Sequence, residues 1–447
     1  MLRLGRGLMN VLIVGAGVVG VTTAWSLARR GHRVTVVERL DGAAMETSRA
    51  NAGQRSYGYV YPWAAPDMVV KALQGLFSRY GPFKITAPWS PHTLQFLAMT
   101  ARYSLSQDRY RKSHAALLAL AEYSRHCFLA LGEPSDASFD GQHAGLMEVA
   151  HSQAASKLLQ QKARTLEKLG VDHQWLSAGA VRQQEPGMTG SGPVAGGLLM
   201  PGDGTGDCHR FSRALAATCE SRGVRFEYCT AIRDWSLNGD RIRGAWLQKT
   251  RQHQQPADAP QTRTAPHYLE TDQVVLCAGC ASRELARTLD LSLPIYPVKG
   301  YSLTGTLKHA GKAPRSTVVD HGYKVAMTRL GERVRVTGFV ELAGLDRRVP
   351  ARRLQVLREA FESRFPGAAD LETADPWTGF RPMTPDGPPI LGRGRQHNLL
   401  LNTGHGTFGW TLSAGCGEII GQLMDGETPA VELSTFNPGR FSRSATG

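Results

Sequence analysis

Asn10-Val-Leu-Ile-Val14, then Gly15-Ala-Gly17-Val18-Val19-Gly20, then a helical run to Arg30, then Val34-Thr-Val-Val-Glu38: this stretch decides the fold. The first run is a short apolar strand. Gly15 allows the tight turn that follows it. Gly17 lacks a side chain, so a pyrophosphate can approach the backbone, and Gly20 lets the helix pack close to the strand. The helix N-terminus at Val18 and Val19 offers unpaired N–H groups and a positive dipole end to phosphate. Glu38 closes the second strand, where a carboxylate accepts hydrogen bonds from an adenosine ribose. Strand, turn, helix, strand and acid fall in order, which points to a dinucleotide site rather than a glycine-rich βαβ unit with no ligand.

The 447-residue chain exceeds one typical core and predicts two intimately packed domains. No apolar run approaches the ~20 residues that span a bilayer. The basic leader Met1–Gly7 runs into the first strand and does not read as a signal sequence; Met9 is an alternative start. The net charge of +14 favours anionic small molecules or acidic lipid surfaces. Lysine and arginine are scattered, without a basic helix or aromatic-interleaved stripe, which argues against nucleic acid as a partner. Seven cysteines in no dense framework suit a reduced cytoplasmic compartment. Cys277-Ala-Gly-Cys280 has redox or zinc-ligand spacing, but it sits in a buried-strand pattern with no second Cys or His pair. It reads as packing cysteines, and no metal is expected.

Downstream of Glu38, residues 39–54 are rich in small and hydroxyl side chains. Arg39, Thr47, Ser48, Asn51, Ala52, Gly53 and Gln54 are the donors this loop can bring to a cofactor. Tyr57, Tyr59, Tyr61 and Trp63 alternate as on a strand, one face all aromatic. That face is either core or pocket wall, and Tyr57 is its candidate substrate contact. Residues 67–131 read as helical, most clearly from Ser113, and 153–169 as a further helix. An exposed loop is expected over 249–267. Tyr268–Ala278, Gly279 and the helix Ser282–Leu289 form a second strand–glycine–helix unit, placing Ala278 and Gly279 at the same dinucleotide. Residues 295–345 read as an antiparallel meander with Tyr323 opening a strand.

The C-terminal motifs are long and specific. Gly379-Phe-Arg-Pro-Met-Thr-Pro-Asp-Gly387 and Leu401-Asn-Thr-Gly-His-Gly-Thr-Phe-Gly-Trp-Thr411 resemble the small subunit of bacterial D-amino acid dehydrogenases. Pro62–Pro66, Glu46–Gln54, Thr205–Cys208 and Pro297–Leu303 are similar to that family too. The resemblance covers nearly the whole chain. It implies a D-amino-acid-oxidase-like fold of class α/β, with two domains interleaved in sequence. A Rossmann-type FAD-binding domain would use residues 1–60, 190–294 and 375–447. An α+β substrate domain with an antiparallel sheet would use 61–189 and 295–374.

The resemblance further implies noncovalent FAD, since the sarcosine-oxidase branch has a flavin-linking cysteine where Gly379 stands. The implied reaction is oxidative deamination of D-amino acids to 2-oxo acids and ammonia, by hydride transfer from Cα to flavin N5. Electrons would pass to a quinone of the respiratory chain or to O2, through peripheral contact on the inner face of the membrane. A sister reaction on glycine, sarcosine, hydroxyproline or an L-amino acid is the alternative. A basic flavoprotein acting on tRNA, or a noncatalytic flavin subunit, is a third.

Arg381 is the implied carboxylate anchor, because a guanidinium grips a carboxylate with two parallel bonds. Tyr323 would support the same carboxylate. His405 is either a general base or a residue that shapes its loop. Gly404, Gly406 and Gly409, with Thr407, Trp410 and Thr411, would turn backbone N–H groups and a helix N-terminus toward the flavin pyrimidine. Arg55 is a candidate for drawing an acidic substrate.

Overall fold

The computed structural model describes residues 7–66, 81–250 and 265–441. The expected loop at 249–267, most of the leader and the helical pattern at 67–80 therefore fall largely outside the described residues.

The opening stretch builds one end of the molecule. Asn10–Val14 pairs in parallel with Arg33–Val37 on one side and Gln273–Leu276 on the other. The six-stranded sheet runs Ile390–Arg393, Leu399–Thr403, Gln273–Leu276, Asn10–Val14, Arg33–Val37, Arg225–Glu227, with only the first pair antiparallel. Leu12 and Ile13 are both fully buried, as a parallel sheet covered on two faces requires. Helices Val18–Arg29 and Gly409–Asp425 pack side by side on one face. A three-stranded sheet, Thr230–Asn238, Arg241–Lys249 and His267–Glu270, covers the other with Trp235, Ile242 and Leu247.

A nine-stranded mixed sheet forms the second layer. Its order is Ala369–Met383, Tyr296–Leu307, Arg333–Leu342, Val325–Leu330, Thr317–Asp320, Leu146–Ala150, Gly196–Met200, Gln174–Leu176. Phe83–Ile85 adds beside Arg333–Leu342. Helix Ala351–Glu362 seals one face through Leu357 and Phe361.

The packing cuts the chain differently from the expected domain boundaries. Gly196–Met200 belongs to the nine-stranded sheet, and the strand Ala369–Met383 runs straight through the boundary at 375. Helix Gln107–Leu129, assigned to the substrate side, buries Leu117, Leu120 and Ala121 in the core under the six-stranded sheet. Residues 83–85 are strand, not helix.

The tyrosine run is also not a strand. The short strand ends at Arg55, because Thr411 Oγ1 accepts the N–H of Ser56 (3.0 Å) and Asp203 Oδ1 that of Gly58 (2.7 Å). Side chains thereby take donors that a ladder would need, and the four aromatic residues leave a common face. Tyr57 enters the core, Tyr59 and Tyr61 face the cavity described below, and Trp63 packs on Phe96. Tyr323 lies in a turn before Val325–Leu330, fixed by Asp320 Oδ1 accepting the N–H groups of Gly322 and Tyr323.

Candidate functional site

The C-terminal ends of the parallel strands and one face of the nine-stranded sheet enclose a cavity of about 1150 Å³. The glycine turn lies at one end. Gly15 has φ +104° and gives its N–H to Val37 O (2.8 Å), a conformation closed to most other residues. A Cβ on Gly20 would stand 1.9 Å from Gly15 O, so this glycine permits helix–strand contact and does not itself reach the cavity. A Cβ on Gly17 would meet only Ser48 Oγ, at 3.6 Å, and would otherwise fill cavity space. Gly17 is the glycine kept open for a ligand.

Glu38 lines the cavity beside this turn. Its carboxylate accepts the N–H of Ala16 (2.9 Å) and of Leu40 (3.0 Å), while burial pushes its pKa up. The 39–54 loop forms the next stretch of wall. Arg39, Thr47, Ser48, Asn51, Ala52 and Gln54 all line the cavity, as do Val18 and Val19. Ser48 Oγ accepts the N–H of Val18 (3.2 Å), and Thr47 Oγ1 donates to Phe380 O (2.6 Å). Glu46 pairs with both Arg39 and Arg347, joining the two layers. Gly53 sits behind the wall, its carbonyl accepting the N–H of Gly206. Ala278 and Gly279 line the cavity from the second strand–turn unit, and Cys280 joins them. The Cys280 thiol is pushed up to about 12 by burial, which fits packing rather than redox chemistry.

Helix Gly409–Asp425 points its N-terminus at the other end of the cavity. No side chain caps it, and His405, Gly406, Thr407, Gly409 and Trp410 line this end. Its first N–H groups and dipole are thus available to negative charge. Gly406 does not offer its own N–H, which goes to Pro382 O (2.9 Å). Gly404 and Thr411 lie behind the wall, Gly404 against Thr384 and Thr411 on Ser56. His405 is 3 % exposed, and burial pushes its pKa down to about 3, so the imidazole is neutral at working pH.

Arg381 stands on the wall between these ends. Its Nη1 donates to Phe339 O (3.0 Å) and Lys299 O (3.4 Å), and burial pushes its pKa down to about 10. No acidic side chain among the described residues pairs with it. Phe339 reaches this position with φ +69°, a strained conformation for phenylalanine that turns its carbonyl toward the guanidinium. The result is a held cation without an anion, facing a cavity.

The other expected substrate contacts are placed elsewhere. Tyr323 is 37 % exposed and off the cavity wall. Tyr57 is buried beside Arg55. Arg55 itself is 1 % exposed, over the Phe128 ring at 4.5 Å and donating to Thr205 O (3.1 Å), so it does not reach a substrate. Lys324, Phe339 and Ala231 line the cavity without any motif that marks them in the sequence.

The residues present fit a flavin dinucleotide. Gln54 Nε2, His405 Nε2, Trp410 Nε1 and Asn402 Oδ1 are buried, belong to cavity-lining residues and have no partner among the described residues. Each such orphan costs about 1–3 kcal/mol until a ligand satisfies it. Among the described residues no group of His, Cys, Asp or Glu is placed to hold a metal ion.

The FAD dependent oxidoreductase model matches residues 10–423. The chain belongs to this family. This flavoprotein is 40% identical to the D-amino acid dehydrogenase of Cereibacter sphaeroides over 447 residues, covering 98% of each chain. It is 40% identical to that of Agrobacterium fabrum, over 97% of this chain and 100% of the relative. A solved structure of glycine oxidase from Geobacillus kaustophilus superposes with a TM-score of 0.72 at 23% identity, covering 98% of this chain and 100% of the other. That likeness shows the fold. The flavoprotein is thus an FAD-dependent oxidoreductase with a small-molecule substrate and an electron acceptor. No helix among the described residues is long and apolar enough to cross a membrane.

Proposed function

We propose that this flavoprotein oxidises D-amino acids to 2-oxo acids and ammonia, holding FAD without a covalent link. The carrying observation is Arg381, an enclosed guanidinium on the cavity wall that among the described residues donates to two carbonyls and pairs with no acid. An α-carboxylate matches it in charge and in two-pronged geometry. Names of relatives at 40% identity over nearly the whole chain support the D-configuration.

Bound FAD supplies the two-electron oxidation that removes a hydride from Cα. The substrate also gives up an amine proton, and water converts the resulting imine to the 2-oxo acid and ammonia. Arg381 fixes the carboxylate and with it the direction of the Cα–H bond. His405, neutral at working pH, shapes the wall and does not enter as an acid. The uncapped helix N-terminus at Gly409 would favour negative charge on a cofactor held at this end. By the resemblance, Gly379 stands at the position where the sarcosine-oxidase branch carries its linking cysteine, which supports noncovalent binding. We further propose a quinone or O2 as electron acceptor, and peripheral contact of the basic surface with the inner membrane face.

Anaerobic bleaching of the flavin absorbance by a panel of amino acids tests the reading. D-amino acids are expected to bleach it, and readmitted air shows whether O2 is the acceptor. Bleaching only by L-amino acids, glycine or secondary amines would move the reaction to a sister activity.

A further inference from the structure

The most exposed large apolar side chains among the described residues lie in one region. Trp89 is 86 % exposed, Leu105 85 % and Leu345 68 %, and Leu94 is 50 % exposed. Helix Pro91–Ser104 starts two residues after Trp89 and buries Thr93, Phe96, Thr100 and Ser104. At 3.6 residues per turn Leu94, Ala98 and Leu105 fall within about 40° of one another on its outer side, in a stripe ~16 Å long. Ala98 is exposed as well. Apolar residues scattered singly need no explanation, but a contiguous patch marks a contact surface.

Hydrogen bonds bring two further segments to this stripe. The Tyr296 hydroxyl accepts the N–H of Gly344 (3.2 Å) and lies 2.8 Å from Thr93 Oγ1, so Leu345 and Leu94 directly follow two residues held on one hydroxyl. Leu342 O accepts the N–H groups of Thr86 (3.0 Å) and Ala87 (3.2 Å), which ties the Trp89 loop to the same segment. His92, Gly344 and Leu345 line the cavity, so the cavity opens beside the patch.

The rim of the patch is basic. Residues 83–105 hold Lys84, Arg102 and no acid, and residues 343–353 hold four arginines and one acid, Asp346, which pairs with Arg348. With Glu46 and Glu341 counted in, which pair with Arg347 and Arg353, six basic groups stand against three acids. Exposed tryptophan and leucine beside lysine and arginine match the boundary between anionic headgroups and acyl chains. A second copy packed across a two-fold axis would set this positive rim against itself.

We propose that this face docks on an anionic lipid bilayer, with Trp89, Leu94 and Leu105 entering the headgroup boundary and the cavity mouth turned to the lipid. This deepens the peripheral contact proposed above and rests on it.

The test sediments the full FAD-loaded chain with vesicles of phosphatidylcholine, alone or with about one third phosphatidylglycerol. The native chain should bind the anionic vesicles, and more weakly as salt is raised. The triple variant W89S/L94Q/L105Q should lose about tenfold or more in affinity, since burying one leucine contributes roughly that factor. It should keep its flavin and its anaerobic reduction by substrate, which reports folding. K84Q/R102Q should bind less and with a flatter salt dependence. L237Q removes an exposed leucine on the three-stranded sheet and should bind as the native chain does. If the native chain ignores anionic vesicles, or binds neutral ones as well, the peripheral contact fails and this inference with it. If it binds but the triple variant stays within about threefold, or L237Q falls equally, this surface alone is overturned. A larger fall confined to the triple variant supports it. A native dimer that the triple variant turns into a monomer assigns the face to a second copy and overturns the proposal.

Discussion

Replacing Arg381 by methionine separates affinity from stability. The guanidinium is enclosed, and among the described residues it has no acidic partner and donates only to Phe339 O and Lys299 O. Its removal takes away the proposed partner of the substrate carboxylate. Truncating one member of such a desolvated charge pair costs about 2–5 kcal/mol, or roughly 30-fold to several thousand-fold in affinity. The folded chain, by contrast, loses an uncompensated buried charge, which is neutral or favourable. R381M should therefore keep its yellow FAD and melt within about 2 °C of the native chain or above it. Its substrate dissociation constant, from anaerobic flavin bleaching against concentration, should rise by about two orders of magnitude. An unchanged constant would remove Arg381 from the carboxylate role. A colourless protein melting far lower would show that the guanidinium is structural.

The two inner glycines of the turn should fail differently. G20A places a Cβ 1.9 Å from Gly15 O and should lower both melting temperature and FAD retention, whereas G17A should fold but bind FAD more weakly, as flavin release on dilution would show. Equal behaviour of the two would refute the division of roles. H405N should change rates without moving the inflections of the kcat/KM–pH profile, because His405 is already neutral above about pH 3; a lost inflection near neutral pH would contradict this. Asp203 has a folded pKa of about 7, above its unfolded value, so its favourable contribution is full in acid and fades as pH rises toward 7. D203N keeps an oxygen for the Gly58 N–H. Its melting temperature relative to the native chain should therefore climb between pH 5 and pH 8, and a flat difference would show that Asp203 is not buried as a neutral acid.

Local physics made much of this protein readable from its residues alone. The Gly15–Gly20 turn between two apolar strands, with Glu38 at the end, has few structural solutions, and the expected Rossmann unit forms where the spacing places it. Arg381 and the His405–Trp410 loop were identified from contiguous motifs, and the fold brings them to one cavity. Other features depended on partners distant in sequence. Tyr57, Tyr59 and Tyr61 share strand spacing, yet Thr411 and Asp203 take the backbone donors between them and send the rings to different places. Arg55 looked like a substrate cation until Phe128, from a helix some seventy residues on, stacked beneath it. Tyr323 lost its strand to a turn held by Asp320. The row Lys324–His321–Glu148–Lys162 joins a turn, a strand and a helix. No single segment encodes it, because side-chain charge acts through space and only the completed sheet sets those distances.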